Sequence, residues 1–288
     1  MPPSNTLVVE LLNRFVLWAE AQGDIRALLI IGSRARKDQP ADAWSDVDLI
    51  VAAQNPQPYL EHTTWLEDIG HVWVTHVEST LAGATERRVL FEGGVDFDLV
   101  FVAENMFSRL LQNDDVAQIV RRGIRILVDK DRVMSRITLP IGLRTPYQPP
   151  RQAQFTNLVN DFWYHAGWTA KKLRRGELWT ASMSCDGYMK DLLLRMLEWH
   201  THAVSPSNYD TWFNGRFIEQ WADPKAIAEM SAAFAHYDAV DIKRALLASM
   251  DLFRRVATET AAQLTYPYPY EGDTDVTQWV ERLLSEVT

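Results

Sequence analysis

Cysteine is nearly absent from this sequence. Cys185 stands alone, which excludes an intrachain disulfide and any cysteine-built zinc site, and leaves its thiol to read as a small apolar residue. No apolar run reaches the length of a membrane span. The opening Met1-Pro2-Pro3-Ser4-Asn5 lacks the basic start and apolar core of a secretion signal, so a cytoplasmic, reducing location is expected. Positive charge is also short: 29 Lys and Arg against 38 Asp and Glu give a formal net charge of −9. A nucleic-acid binder needs basic surface to neutralise phosphates, so nucleic acid is not the expected main partner. An acidic chain suits a cationic small molecule better. The seven histidines are scattered without metal-ligand spacing. Gly32-Ser33 lacks the second glycine of a Gly-x-Ser-x-Gly elbow, which argues against a covalent seryl intermediate.

What is present is an ordinary globular composition, 47% hydrophobic and 23% charged over 288 residues, enough for one large domain or two medium ones. The two halves read differently. Short apolar runs at 27–31, 47–53, 72–76, 88–91, 95–102 and 124–128 predict strands, preceded by an amphipathic helix over 7–21. The stretch from Leu139 to Pro150 holds four prolines and a glycine and predicts a linker. Beyond it, helix-length periodicity covers 152–175, 186–203, 224–237 and 241–264, and Asp223-Pro224 supplies an N-cap with proline at the first helical position. The expected organisation is a sheet domain over 1–137, a linker over 138–150 and a helical domain over 151–288.

Chemistry concentrates in two acidic strands. A strand runs into Gly32-Ser33, where glycine permits close backbone approach and serine offers a hydroxyl and an N–H to phosphate at the start of a following helix. The chain returns through Ser45-Asp46-Val47-Asp48. Side chains alternate across a strand, so Asp46 and Asp48 share a face. Paired carboxylates repel unless a cation compensates, and with phosphate oxygens they make a hard magnesium site. In Val95-Asp96-Phe97-Asp98, Asp96 and Asp98 again share a face. Two such strands could gather three or four carboxylates for in-line displacement at phosphorus. The bland alternative, solvent-facing strand acids, is weakened by the Gly-Ser turn upstream.

These motifs resemble the nucleotidyltransferase superfamily typified by DNA polymerase beta: Gly32-Ser33, then Asp46-Val47-Asp48, then a third acid on a neighbouring strand. Over nearly the whole chain the sequence is similar to the aminoglycoside 6-adenylyltransferases, the streptomycin-modifying family. Gly32-Ser33-Arg34-Ala35 with Ser45-Asp46-Val47-Asp48 matches its N-terminal motif. Val95-Asp96-Phe97 stands in the place of its third acid, favouring Asp96 over Asp98. Asn160-Asp161-Phe162-Trp163 resembles its Asn-Glu-Phe-Trp, with Asp161 replacing the usual Glu. Lys171–Leu178 and Met196-Leu197-Glu198-Trp199 also correspond. The resemblance implies an α+β fold, a mixed nucleotidyltransferase sheet flanked by helices and then a helical bundle. It further implies ATP as co-substrate, Mg2+, and a drug held in a cleft against the helical domain.

The expected site follows. Asp46, Asp48 and Asp96 are the catalytic and metal-binding acids, Asp96 either completing the metal site or taking a proton from the acceptor. Gly32, Ser33, Arg34 and Lys171 bind the nucleotide, although Lys171 sits in a cationic helix end that could equally complement the helix dipole. Asp161, Trp163 and Asp186 contact the acceptor, with capping and core packing as their structural alternatives. Rival readings keep the chemistry on a lincosamide or on a protein or RNA in a toxin–antitoxin setting, or reduce the chain to a nucleotide sensor without turnover.

Overall fold

Alternation of apolar residues in the first half produces strands, and the 3.6-residue period of the second produces helices, giving an α+β chain. The computed structural model describes residues 4–36, 38–137, 139, 147–205, 209–211, 213–285 and 287. Contacts divide the chain into two compact units, Met1–Pro146 and Tyr147–Thr288. Residues 138 and 140–146 of the expected linker lie outside the described residues.

In the first unit, α1 (Asn5–Ala21) precedes β1 (Ile25–Ile30), β2 (Val47–Ala53), α2 (Gln57–Glu61), β3 (Val72–Ser79), β4 (Thr85–Phe91), β5 (Val95–Ala103), α3 (Glu104–Gln112), α4 (Asp114–Arg122) and β6 (Arg125–Asp129). One six-stranded sheet runs in the order β3-β4-β5-β2-β1-β6. It is mixed: β2 and β5 are parallel, and the other neighbours antiparallel. Odd-numbered residues of the central strands (Val47, Leu49, Val51, Phe97, Leu99) pack with Val8, Leu11 and Phe15 of α1. Even-numbered ones (Ile50, Ala52, Val102) pack with Phe107 and Leu110 of α3 and Val120 of α4. Each such side chain, removed from water, contributes on the order of 2 kcal/mol. Asp48 and Asp98 belong to the even face. This specifies the register of the central strands, since a one-residue slip would turn the acids into the face packed on α1.

The second unit contains α5 (Gln152–Arg174), α6 (Leu178–Met183), a π-helical turn at Ser184–Tyr188, α7 (Met189–Val204), α8 (Ile218–Trp221), α9 (Pro224–Ala233), α10 (Ala239–Leu264) and α11 (Tyr270–Leu284). Phe162 of α5 stacks on Phe253 of α10 at 3.7 Å and 2°. Asp223 caps α9 as its sequence predicts, accepting from the N–H groups of Lys225 and Ala226. Three differences from the sequence reading stand out. The helix expected from 186 begins in the π turn, and α9 stops at Ala233 rather than Tyr237. α11 has no counterpart in the sequence reading; Pro269 occupies its N-cap position.

Candidate active site

The β1–β2 ladder extends past the strands through a bond from the Ile31 N–H to the Asp48 carbonyl, 3.0 Å. This pins the Gly32-Ser33 turn against Asp48. Gly32 has φ +66, and a Cβ there would meet Asp48 Oδ2 at 2.0 Å, so only glycine fits. The turn is a single 3-10 turn, Gly32–Arg34, rather than the start of the longer helix expected from sequence. The Ser33 hydroxyl is buried with no hydrogen-bond partner among the described residues. A buried hydroxyl normally finds a partner, so this one is poised for a ligand oxygen. Arg34, expected on the nucleotide, clamps the second strand's entry: Nε donates to the Asp46 carbonyl at 2.9 Å and Nη2 to the Ser45 carbonyl at 2.6 Å. Burial lowers its pKa, against the opposing pull of Asp46, Asp42 and Asp48.

The parallel register of β2 and β5 sets Asp48 opposite Asp98. Ligand oxygens of Asp46, Asp48 and Asp98 lie within 4.8 Å of one another. The third acid of this group is therefore Asp98, not the expected Asp96. Asp96 sits two residues nearer the strand start, opposite Leu90 of β4, with an exposed side chain. It remains coupled to the site, since burial and then the Asp46 charge raise its pKa. Burial pushes the Asp98 carboxyl up to about 6, helped by Asp46, Glu86 and Asp96 and opposed by Arg88. Three hard oxygen donors beside an unpartnered hydroxyl are the donor set a small divalent cation takes with phosphate oxygens.

The helical candidates sit differently. Trp163 is 3% exposed. Its Nε1 donates to the Tyr268 hydroxyl at 3.1 Å, and Tyr268 donates to Asp273 at 2.9 Å. Phe253 meets its ring edge to face and Arg254 lies 5.0 Å from the ring centre. The ring packs in the core of the helical unit. Asp186 Oδ2 accepts from the Ala235 N–H at 3.2 Å, and Oδ1 lies 3.6 Å from the ammonium of Lys190. Lys190 is buried, which lowers its pKa, and Asp186 is its counter-ion. The Lys171 ammonium stands 5.4 Å over the Trp279 ring. Asp161 differs from these. It pairs with His165 at 2.8 Å and accepts from the Tyr188 hydroxyl at 3.0 Å. It also opens on a groove of about 610 Å³ lined by Asn157, Leu192, Arg195 and Trp199.

The sequence profile of the streptomycin adenylyltransferases matches residues 8–283, nearly the whole chain. The chain belongs to this family. Aminoglycoside 6-adenylyltransferase of Bacillus subtilis (strain 168) is 23% identical over 96% of this chain and 98% of its own. The enzyme of the same name from Campylobacter jejuni is 23% identical over 88% and 87%. The crystal structure of an aminoglycoside 6-adenyltransferase from Bacillus subtilis superposes with a TM-score of 0.43 at 20% identity, covering 96% of this chain and 97% of that one. In this member of the streptomycin adenylyltransferase family, sequence reading passed over two residues beside the acids. Arg88 stands opposite Asp98 on β4, and buried Glu86 accepts from Arg88 Nε at 2.8 Å. Strand alternation alone could have put Glu86 and Arg88 on one face, but not beside Asp98.

Proposed function

We propose that the protein transfers AMP from ATP to a hydroxyl of an aminoglycoside, with streptomycin as the first acceptor to test, releasing pyrophosphate. The observation that carries this reading is the convergence of Asp46, Asp48 and Asp98 beside the Gly32-Ser33 turn. Family membership supports adenylyl transfer, and the curated relatives are named for an aminoglycoside.

Asp46, Asp48 and Asp98 would hold Mg2+, which when bound neutralises phosphate charge and stabilises the leaving pyrophosphate. The chain's own contributions are these. Ser33 donates its unpartnered hydroxyl to a phosphate oxygen, and Gly32 leaves room for the nucleotide to approach Asp48. Arg34 holds the backbone at Ser45 and Asp46, so that Asp46 is aimed before substrate arrives. Asp96, outside the converging trio and solvent-accessible, accepts the proton of the attacking hydroxyl. The acceptor oxygen bonds to the α-phosphorus as the bond to pyrophosphate breaks, and the proton moves to Asp96. Asp161, partly exposed on the groove of the helical unit, attracts the acceptor's positive charge.

The test is turnover of α-labelled ATP with a panel of aminoglycosides and a lincosamide, with product mass measured. A streptomycin-sized product carrying AMP supports the reading. Label transfer to a lincosamide alone would keep the chemistry and replace the acceptor.

A further inference from the structure

We propose that Arg88 is a built-in counter-ion of the acidic site that competes with the divalent cation for Asp98 and is held back by Glu78 and Glu86. This rests on the reading that Asp46, Asp48 and Asp98 hold such a cation. Antiparallel register sets Arg88 opposite Asp98 on one side and opposite His76 on the other. The guanidinium is shared unequally. Nη2 lies 3.6 Å from Asp98 Oδ2, an attraction without a hydrogen bond. Nε lies 2.7 Å from Glu78 and 2.8 Å from Glu86, within range of charge-assisted hydrogen bonds. Only a planar fork with separate edges can reach both sides at once, and a lysine could not.

The arrangement has a consequence for metal loading. Three carboxylates within 4.8 Å repel one another, and Arg88 relieves that repulsion when no cation is present. An arriving cation must take Asp98 from Arg88, which is then repelled toward Glu86, already hydrogen-bonded to it, and Glu78, already ion-paired with it. Glu86 is 5% exposed and needs a permanent partner, so Arg88 has a fixed seat on that side. The site therefore binds bare metal weakly and gains it together with the phosphates of the nucleotide.

The experiment is Mn2+ binding to the full-length, nucleotide-free protein at pH 8, read by electron paramagnetic resonance of free Mn2+. Arg88→Gln should tighten binding about fivefold, because one opposing charge near the cation is gone. Glu86→Gln should weaken it, as Arg88 moves wholly onto Asp98. Glu78→Gln should weaken it less; its half-exposed side chain can be replaced without loss of the fold. Binding by the wild type that is lost in Asp48→Asn but unchanged or weakened in Arg88→Gln overturns this proposal alone. Absence of Mn2+ binding in the wild type overturns it together with the metal reading.

Discussion

The sheet unit and the helical unit treat their acidic residues in opposite ways. In the sheet, backbone pairing forces Asp48 against Asp98 with Asp46 alongside, like charge beside like charge. In the helical unit, Asp186 sits by the buried ammonium of Lys190, and Asp273 accepts from Arg254 at 2.8 Å. An acid given a counter-ion by its own fold stabilises that fold. Acids crowded together cost stability and persist where a ligand compensates them. Asp161 falls between, with donors in His165 and Tyr188 and a side chain 28% exposed.

The hardest blow to this contrast falls on the crowded acids. Asp48→Asn should lower turnover at least a thousandfold, about 4 kcal/mol of transition-state stabilisation, with the melting temperature kept. Asp98→Asn should fall in the same class and weaken Mn2+ binding. Asp96→Asn should lower kcat while sparing Mn2+ binding, as fits a proton acceptor outside the trio. Rates and Mn2+ titrations that rank Asp96 with Asp48, and leave Asp98→Asn active, would return the third-acid role to Asp96.

The opposite pattern is expected from Trp163→Ala. Removing a buried indole and its bond to Tyr268 should cost about 3 kcal/mol of stability in urea denaturation. The KM for the aminoglycoside should stay within twofold at a temperature where the variant is folded. A large KM change without loss of stability would put Trp163 back on the substrate.

The legibility of the two units in sequence follows the same division. Strands and long helices were readable because their apolar periods are strong, and Gly32, Ser33, Asp46 and Asp48 because a turn and an alternating pair are local patterns. Which acid joins Asp46 and Asp48 within 4.8 Å was not readable. Asp96 and Asp98 share a strand face, and the choice between them depends on the register of β5 against β2, a pairing across 50 residues that local pattern does not encode. The surroundings of Trp163 and Asp186 were hidden for a related reason: they depend on Tyr268 and Lys190. The Tyr268 contact is distant in sequence, and Lys190, only four residues on, becomes a partner through its burial. Arg34 shows the limit of a motif, since its place in the motif says nothing of which carbonyls it holds.

A smaller effect is expected at the residue between the two classes. Asp161→Asn keeps an acceptor for Tyr188 and removes only the charge. The KM for streptomycin should rise about tenfold, equivalent to about 1.4 kcal/mol, while that for ATP and the melting temperature barely move. The rise should shrink with added salt, because the groove is open to solvent. Calorimetric titration of streptomycin into both proteins reads the same difference without turnover; equal heats and affinities would class Asp161 with Asp186 as structural.

The finest test asks whether the crowded acids do cost stability. Burial, with Asp46, Glu86 and Asp96 adding to it, raises the Asp98 pKa from 3.8 to about 6. A raised carboxyl favours the folded protein when protonated, so its contribution is full below pH 4 and is lost as pH rises through about 6. Above that, ionised Asp98 opposes folding by up to about 3 kcal/mol with the Arg88 attraction already included, an upper bound because water still reaches the side chain. In chelator at pH 8, Asp98→Asn should therefore be more stable than wild type by about 1 kcal/mol. By pH 5 roughly half of the ionisation penalty has gone, and the two proteins should denature at nearly the same urea concentration. With Mg2+ and ATP at pH 8 the order should reverse, because the wild type binds the cation more tightly. A variant that is less stable than wild type by the same margin at pH 5 and pH 8 in chelator would mean that Asp98 is a satisfied structural acid, and the contrast between the units would not hold at that carboxylate.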